Sequence, residues 1–288
     1  MALATSNLAL STVKSVLGVS NIRNIFYAGG GATLNTIVQI GAIVNKHGLN
    51  ATYCPGATAD ARLANLLADR KMSYFKGYEH ITSLATYGFL YNGYAALDVN
   101  FAPVGWHVPT KTEFETLIAS LGGASIAGGK LKETGLLHWA DPNFASNSSN
   151  FKAVGSGARW KDSGGGFGFL NVYGIHWSTT NDIGYPTLYY RMICTHNSES
   201  VTISRDQIYL GCSIRLIKDN STNPGTLTDY DGNVYETVLI GSQVWIKQNW
   251  KCTKLNNGTL IPLATNAATW DAFTTNGRCA YNFDLSNV

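Results

Sequence analysis

The stretch DYDGNVYETVLIGSQVWIKQNW, residues 229–250, reads as the opening of a domain. A polar Asp-Gly turn leads into two strand-like runs, NVYETVLIG and SQVWIKQNW, rich in β-branched and aromatic residues. Its tryptophans are suited to burial. Yet only about 60 residues separate its first aspartate from the end of the 288-residue chain. What strands placed so late pair with is the first question the sequence poses.

Upstream, GWHVPTKTEFETLIASLGG holds the clearest helix. Thr110 and Glu113 stand at capping-box spacing. Phe114, Leu117, Ile118 and Leu121 fall at i, i+3, i+4 and i+7, one buried stripe. Gly122 and Gly123 supply the left-handed stop. AGGKLKETG and the turn-rich DPNFASNSSNFKAVGSGARW follow, and GGGFGF around Gly164 reads as a flexible turn. Strands are expected at TLYYRMICT, SVTISRD and GCSIRLIKD, the last alternating at Cys212, Ile214 and Leu216. NSTNPG, residues 220–225, is a linker by composition. After it come the two late strands, an Asn257-Gly258 turn and a short helix at NAATWDAF. One or two helices followed by short strands and long loops make an α+β domain, not a βαβ repeat.

Residues 1–70 differ: they hold no tryptophan and almost no acid. Three short apolar elements joined by Gly-rich loops read as a small, mainly helical attachment module, with ATADARLANLLADR its best helix. The N-terminus shows no basic segment followed by an apolar one, so no secretory signal is expected. No apolar run approaches the ~18 residues of a membrane span.

A net charge of +3 and the absence of any basic run argue against nucleic acid or a membrane surface as partner. Cys54, Cys194, Cys212, Cys252 and Cys279 are widely spaced and odd in number, which reads as reduced, mostly buried thiols. The six histidines show no metal-ligand spacing; His107, beside Trp106, reads as a structural loop residue. TDYDGN resembles half of a calcium loop, but position twelve from Asp229 is Ile240 rather than glutamate, so an Asx-type turn is expected. With no GxSxG, P-loop or dinucleotide fingerprint, no catalytic residue, metal or cofactor is expected. What remains is surface recognition. Residues 140–200 are loop-rich and carry tyrosine, tryptophan and arginine, the residue types of binding hot spots. Trp106, Trp139, Trp177 and Trp245 read as core; Tyr173, His176, Asn181, Tyr185, Tyr190 and His196 are the candidate exposed ligand contacts.

GWHVPTKTEFETLIASLGG, AGGKLKETGLLHW, CSIRLIKD, DYDGNVYETVLIGSQVWIKQNWKCTKLNNGTLIP and CAYNF together resemble the Fibrobacter succinogenes major paralogous domain, over about 200 residues. That family is similar to C-type-lectin-like folds, so the resemblance implies such a fold. In the family the block like DYDGNVYETVLIGSQVWI comes first; here it follows the block that closes with SIRLIKD. Three arrangements accommodate this order. Residues 226–288 could complete 71–219 of their own chain, as a circular permutation, which neighbouring termini make cheap. They could complete a neighbouring chain in an oligomer. They could be a truncated second copy, which leaves strand edges bare.

MALATSNLALSTVKSVLGV resembles the openings of structural proteins of phages that infect gut Bacteroidota, tail and head fibre proteins among them. The joint expectation is a virion fibre or decoration protein, assembled in the host cytoplasm. Residues 1–70 would contact other virion proteins in a homo-oligomer, a trimer being favoured. Residues 71–288 would form a permuted or swapped C-type-lectin-like head binding a host-surface or mucosal glycan or protein. A purely structural virion component is the first alternative. The second follows from likeness to formylglycine-generating enzymes, also C-type-lectin-like, whose chemistry needs a cysteine pair for copper; Cys194 and Cys212 are the pair to consider.

Overall fold

The computed structural model describes residues 84–161 and 166–284. The expected attachment module, Cys54 and the centre of the Gly164 turn lie outside the described residues.

The elements run in chain order as α1 (Leu84–Tyr87), β1 (Leu90–Tyr91), α2 (Gly93–Ala96), β2 (Trp106–His107), α3 (Lys111–Ser120) and α4 (Ala124–Leu131). Strands β3 (Ser156–Arg159), β4 (Phe167–Leu170), β5 (Tyr173–Asp182), β6 (Tyr185–Thr195), β7 (Val201–Gln207) and β8 (Ile217–Lys218) follow. After the linker come β9 (Thr226–Thr228), β10 (Val234–Ile240), β11 (Gln243–Ile246), α5 (Ala267–Asp271) and β12 (Arg278–Cys279). The architecture is α+β, with short helices and mostly strands.

α3 forms as its sequence dictates. Thr110 Oγ1 accepts the Glu113 N–H at 3.2 Å, and the Glu113 carboxylate accepts the Thr110 N–H at 2.7 Å, closing the capping box. Phe114, Leu117 and Ile118 are buried, and Gly122 and Gly123 take φ of 95° and 98°. α4 was not expected, because Gly128 and Gly129 weaken its helical signal. Packing explains them: a Cβ on Gly128 would lie 2.1 Å from the Ser200 carbonyl oxygen. Two glycines let the helix lie directly against the β6–β7 turn.

The late strands find their partners upstream. β11 pairs with β8 through Trp245 and Ile217, and β12 pairs with β1 through Leu90–Cys279 and Tyr91–Arg278, all antiparallel. One sheet has the order β2-β8-β11-β10-β9, mixing strands from both sides of the linker; a second is β5-β6-β7. The cores are mixed too. Phe89, Tyr91, Trp177 and Leu216 share a cluster with Tyr235, Ile246 and Trp250. Phe114 stacks on Trp245 with ring centroids 5.6 Å apart, in a second cluster that includes Leu131, Trp139 and Met192. Residues 226–284 thus share sheets and cores with residues 84–218.

Two strand expectations change. GCSIRLIKD is a strand only at Ile217–Lys218. Residues 211–217 are all buried, and Gly211, Cys212 and Ser213 make only isolated bridges, to Arg159, Tyr91 and His176. The segment's alternation is nevertheless real: Cys212, Ile214 and Leu216 face one cluster, while Ser213 and Arg215 enter a polar network. Phe167–Leu170, expected within a flexible turn, is β4 and pairs with β3.

Candidate functional site

The β5–β6 hairpin brings charged and aromatic side chains together at an exposed tip. Its register shifts between Trp177 and Asn181, and again before Asp182, which faces Tyr185 across a two-residue turn. Asp182 organises the tip. Its Oδ1 accepts the Gly184 N–H at 2.8 Å; its Oδ2 accepts the Tyr190 hydroxyl at 3.3 Å and a short bond from the Arg205 guanidinium on β7. Arg205 lies 5.2 Å over the Tyr185 ring, and Lys111, from the first turn of α3, lies 4.7 Å over Tyr190. The Lys111 N–H also donates to Thr180 Oγ1 at 2.9 Å, tying helix to hairpin. Burial raises the Asp182 pKa, but the Arg205 hydrogen bond, the Gly184 N–H and the Arg205 charge outweigh it, so the carboxyl is held below its ordinary value. Ile183 is 98% exposed and Tyr185 58%. An ionic frame around Asp182 therefore carries an apolar side chain and an aromatic ring that face solvent.

The candidate contacts divide into three places. Asn181, Tyr185 and Tyr190 come together at this tip. Tyr173 lies at the other end of β5, stacked on Phe169 at 4.6 Å; Phe169 meets Trp160 edge-on at 5.4 Å. Phe169 holds φ of 63°, a rare backbone state for a bulky residue. His196 lies near Tyr173 on the β6–β7 turn, half-buried, with Nδ1 3.1 Å from the Pro142 carbonyl oxygen.

His176 is a correction. It is fully buried and does not reach the surface. Its Nε2 lies 3.3 Å from Asn249 Oδ1, and its ring meets Phe151 edge-on at 6.0 Å. Burial first, and then the Arg215 charge, push its pKa down to about 3, so the imidazole is neutral. Arg215, also buried, donates Nε to Asn249 Oδ1 at 2.7 Å and its terminal nitrogens to the carbonyls of Phe151, Ile246 and Lys152 at 2.8–3.1 Å. Asn249 Nδ2 donates onward to the Tyr87 carbonyl at 2.9 Å and Ser213 Oγ at 3.1 Å.

Other chemistry-bearing groups are held in structural roles. Lys132 Nζ donates to the carbonyls of Thr195, His196 and Ser198 at 2.7–2.8 Å, and burial brings its pKa down to about 8. Cys194 and Cys212 are buried in separate core clusters, and burial pushes both thiols up to about 12. Trp139, Trp177 and Trp245 are fully buried, while Trp106 is partly so. Asp229 makes the expected Asx-type turn. Its carboxylate accepts the N–H groups of Asp231 and Asn233, the Asn233 amide and the Tyr235 hydroxyl. His107 does more than fill a loop: Nε2 is 2.8 Å from Glu113 Oε1, and Nδ1 makes a short bond to Asp219.

Arg205, Ile183 and Lys111 complete the tip but carry no local signal in sequence. Arg205 meets Asp182 from 23 residues away, across an intervening strand. The composition of residues 140–200 locates the hairpin; only the fold reveals the frame.

These features define an α+β domain that holds His176, Arg215 and Lys132 in internal hydrogen-bond networks and exposes Tyr185 at a hairpin tip. The Fibrobacter succinogenes major domain matches residues 37–218, more than half of the chain, and the chain belongs to that family. The match ends on β8, just before the linker. It begins inside the stretch that the sequence reading assigns to the attachment module. No curated protein and no solved structure matches the chain.

Proposed function

We propose that the chain is a phage virion fibre or decoration protein with a C-type-lectin-like head, permuted so that residues 226–288 precede 71–219 in the family order. The head recognises a host-surface or mucosal glycan or protein; residues 1–70 attach it to the particle as a homo-oligomer, with a trimer favoured. No bond is made or broken, and affinity is multiplied by copy number. The observation that carries the recognition reading is the hairpin tip. Tyr185, Arg205 and Ile183 are exposed on a frame fixed by Asp182, so little ordering entropy opposes binding. The virion reading is supported by the N-terminal resemblance.

The test combines proteomics of purified particles with binding of residues 71–288 and of the full chain to candidate host cells. Saturable binding blocked by surface glycan, and lowered about tenfold or more by Tyr185→Ala, supports the reading. Presence in the particle without cell binding favours a structural collar or capsid role, with the tip seated on another virion protein. Absence from the particle removes the virion assignment.

A further inference from the structure

The linker crosses a sheet rather than turning back along one strand. In the order β2-β8-β11-β10-β9, two strands separate β8 from β9, a gap of about 14 Å at the usual strand spacing. Residues 222–226 are exposed, and the linker's hydrogen bonds are local. Lys218 Nζ donates to the Asn223 carbonyl at 3.1 Å, and the Gly225 N–H donates to Thr237 Oγ1 at 2.6 Å.

The segment beyond the linker is held by much more. Trp245 stacks on Phe114 at 5.6 Å and meets Phe151 edge-on at 5.9 Å, and Trp250 lies 6.3 Å from Phe101. Trp270 packs so closely on Gly211 that a Cβ there would fall 2.9 Å from the indole. All three indoles are at most 1% exposed. The Ile246 and Trp250 N–H groups donate to the Leu216 and Ile214 carbonyls at 3.1 and 2.9 Å, and the Asn92 N–H donates to the Gly277 carbonyl at 3.0 Å. A buried aromatic side chain contributes about 150–250 Å². Three indoles alone therefore approach the ~800 Å² per partner of a stable interface, and an apolar core cut in two is the composition of an obligate one.

We propose that residues 226–288 are a separable strand donor. They dock on residues 84–219 through these contacts whether or not the linker joins the two, and a second copy of the chain can supply them. A short linker gives the chain's own donor an effective concentration on the order of millimolar, so the intrachain arrangement prevails in dilute solution. The test needs neither cells nor particles, so its failure is distinguishable from failure of the virion reading. A protease recognition sequence is placed between Thr222 and Asn223 of the full chain, which is cut after folding. The two pieces should co-elute as one species, keep the near-ultraviolet signal of the uncut chain and melt cooperatively. Pieces that separate on dilution to micromolar concentration overturn the proposal. A second variant lacks residues 220–224, leaving Asp219 and Gly225 to join Lys218 to Thr226 over at most about 11 Å, short of the crossing. It should fold as a dimer or closed ring in which each donor completes a neighbour; a folded monomer overturns exchange between copies. Should this variant not fold, co-expression of residues 1–222 and 223–288 as two chains decides. Recovery of a one-to-one complex with the full chain's tertiary signal supports the donor, and its absence overturns it.

Discussion

The guanidinium of Arg215 and the carboxylate of Asp182 each centre a polar network, in opposite settings. Arg215 is fully buried, with no carboxylate among its hydrogen-bond partners; oxygens of Phe151, Lys152, Ile246 and Asn249 surround it. Burial lowers its pKa to about 9, opposed by the charges of Cys194 and Glu133, so the cation is retained at neutral pH although its direct hydrogen-bond partners are neutral. Those partners come from both sides of the linker. Asp182 instead meets a cation, Arg205, whose side chain is 45% exposed, and the network links neighbouring strands at a sheet edge. A charge in the core specifies how distant segments meet. The same chemistry at the edge stiffens a surface that the fold can do without.

Removing residues 223–288 is the most drastic way to break this comparison. It deletes β11 and β12, Trp245 and Trp250 from the cores, and both Asn249 and the Ile246 carbonyl from around Arg215. The remaining chain should lose its cooperative transition by circular dichroism and its near-ultraviolet tertiary signal. A truncation that still unfolds cooperatively would mean that residues 84–218 hold a self-sufficient core.

Asn249→Ala comes next. It removes the Asn249 acceptor from Arg215 Nε and the His176 ring in the interior. Breaking a buried charged network in this way costs about 3–5 kcal/mol, read as a lower urea midpoint at unchanged slope. At the edge, Asp182→Asn should shift Tm by no more than about 3 °C, because Arg205 returns to water, while loosening the tip enough to weaken any ligand held by Tyr185. A large loss of stability from Asp182→Asn would erase the distinction between the two networks.

What could be read from sequence follows the same division. α3 was legible because every signal lies within fourteen residues: the Thr110–Glu113 cap, the apolar stripe and the Gly122-Gly123 stop. β10 and β11 were legible from their β-branched and aromatic residues after an Asp-Gly turn. His176 was misplaced because it alternates with Ile175 and Trp177, and alternation assigns it to the opposite, solvent-facing side. In the fold that opposite side is also covered, by Phe151 and the Arg215–Asn249 network. α4 was hidden by the glycines that let it pack. The tip was found as a region and not as a frame, since the Asp182–Arg205 pair depends on the order of three strands.

The pH predictions turn on two histidines of opposite sign. His176 has a folded pKa of about 3 against an ordinary 6.5, so the unfolded chain takes up more protons between those values. Its contribution is complete above pH 6.5 and erodes as the pH falls, by about 1.4 kcal/mol per pH unit in mid-window. Urea midpoints at pH 4.5 and 7 should differ accordingly, and the His176 ring proton should not titrate down to the acid transition. His107 is shifted the other way. The Glu113 hydrogen bond raises its pKa, burial opposes this, and the Asp219 hydrogen bond adds to the rise. Its stabilisation is present below pH 6.5 and is lost as the pH climbs through the raised value. Because His107 and Asp219 are 38% and 40% exposed, solvent screens this clamp to below about 1 kcal/mol. Glu113, held below its ordinary value, sets the acid end: its contribution is lost as the pH falls below 4.5 through the folded value. His107→Gln should therefore abolish a small decline in stability above pH 6.5 and leave the larger acid-side slope intact. If it removed the acid slope instead, the roles given to the two imidazoles would be reversed.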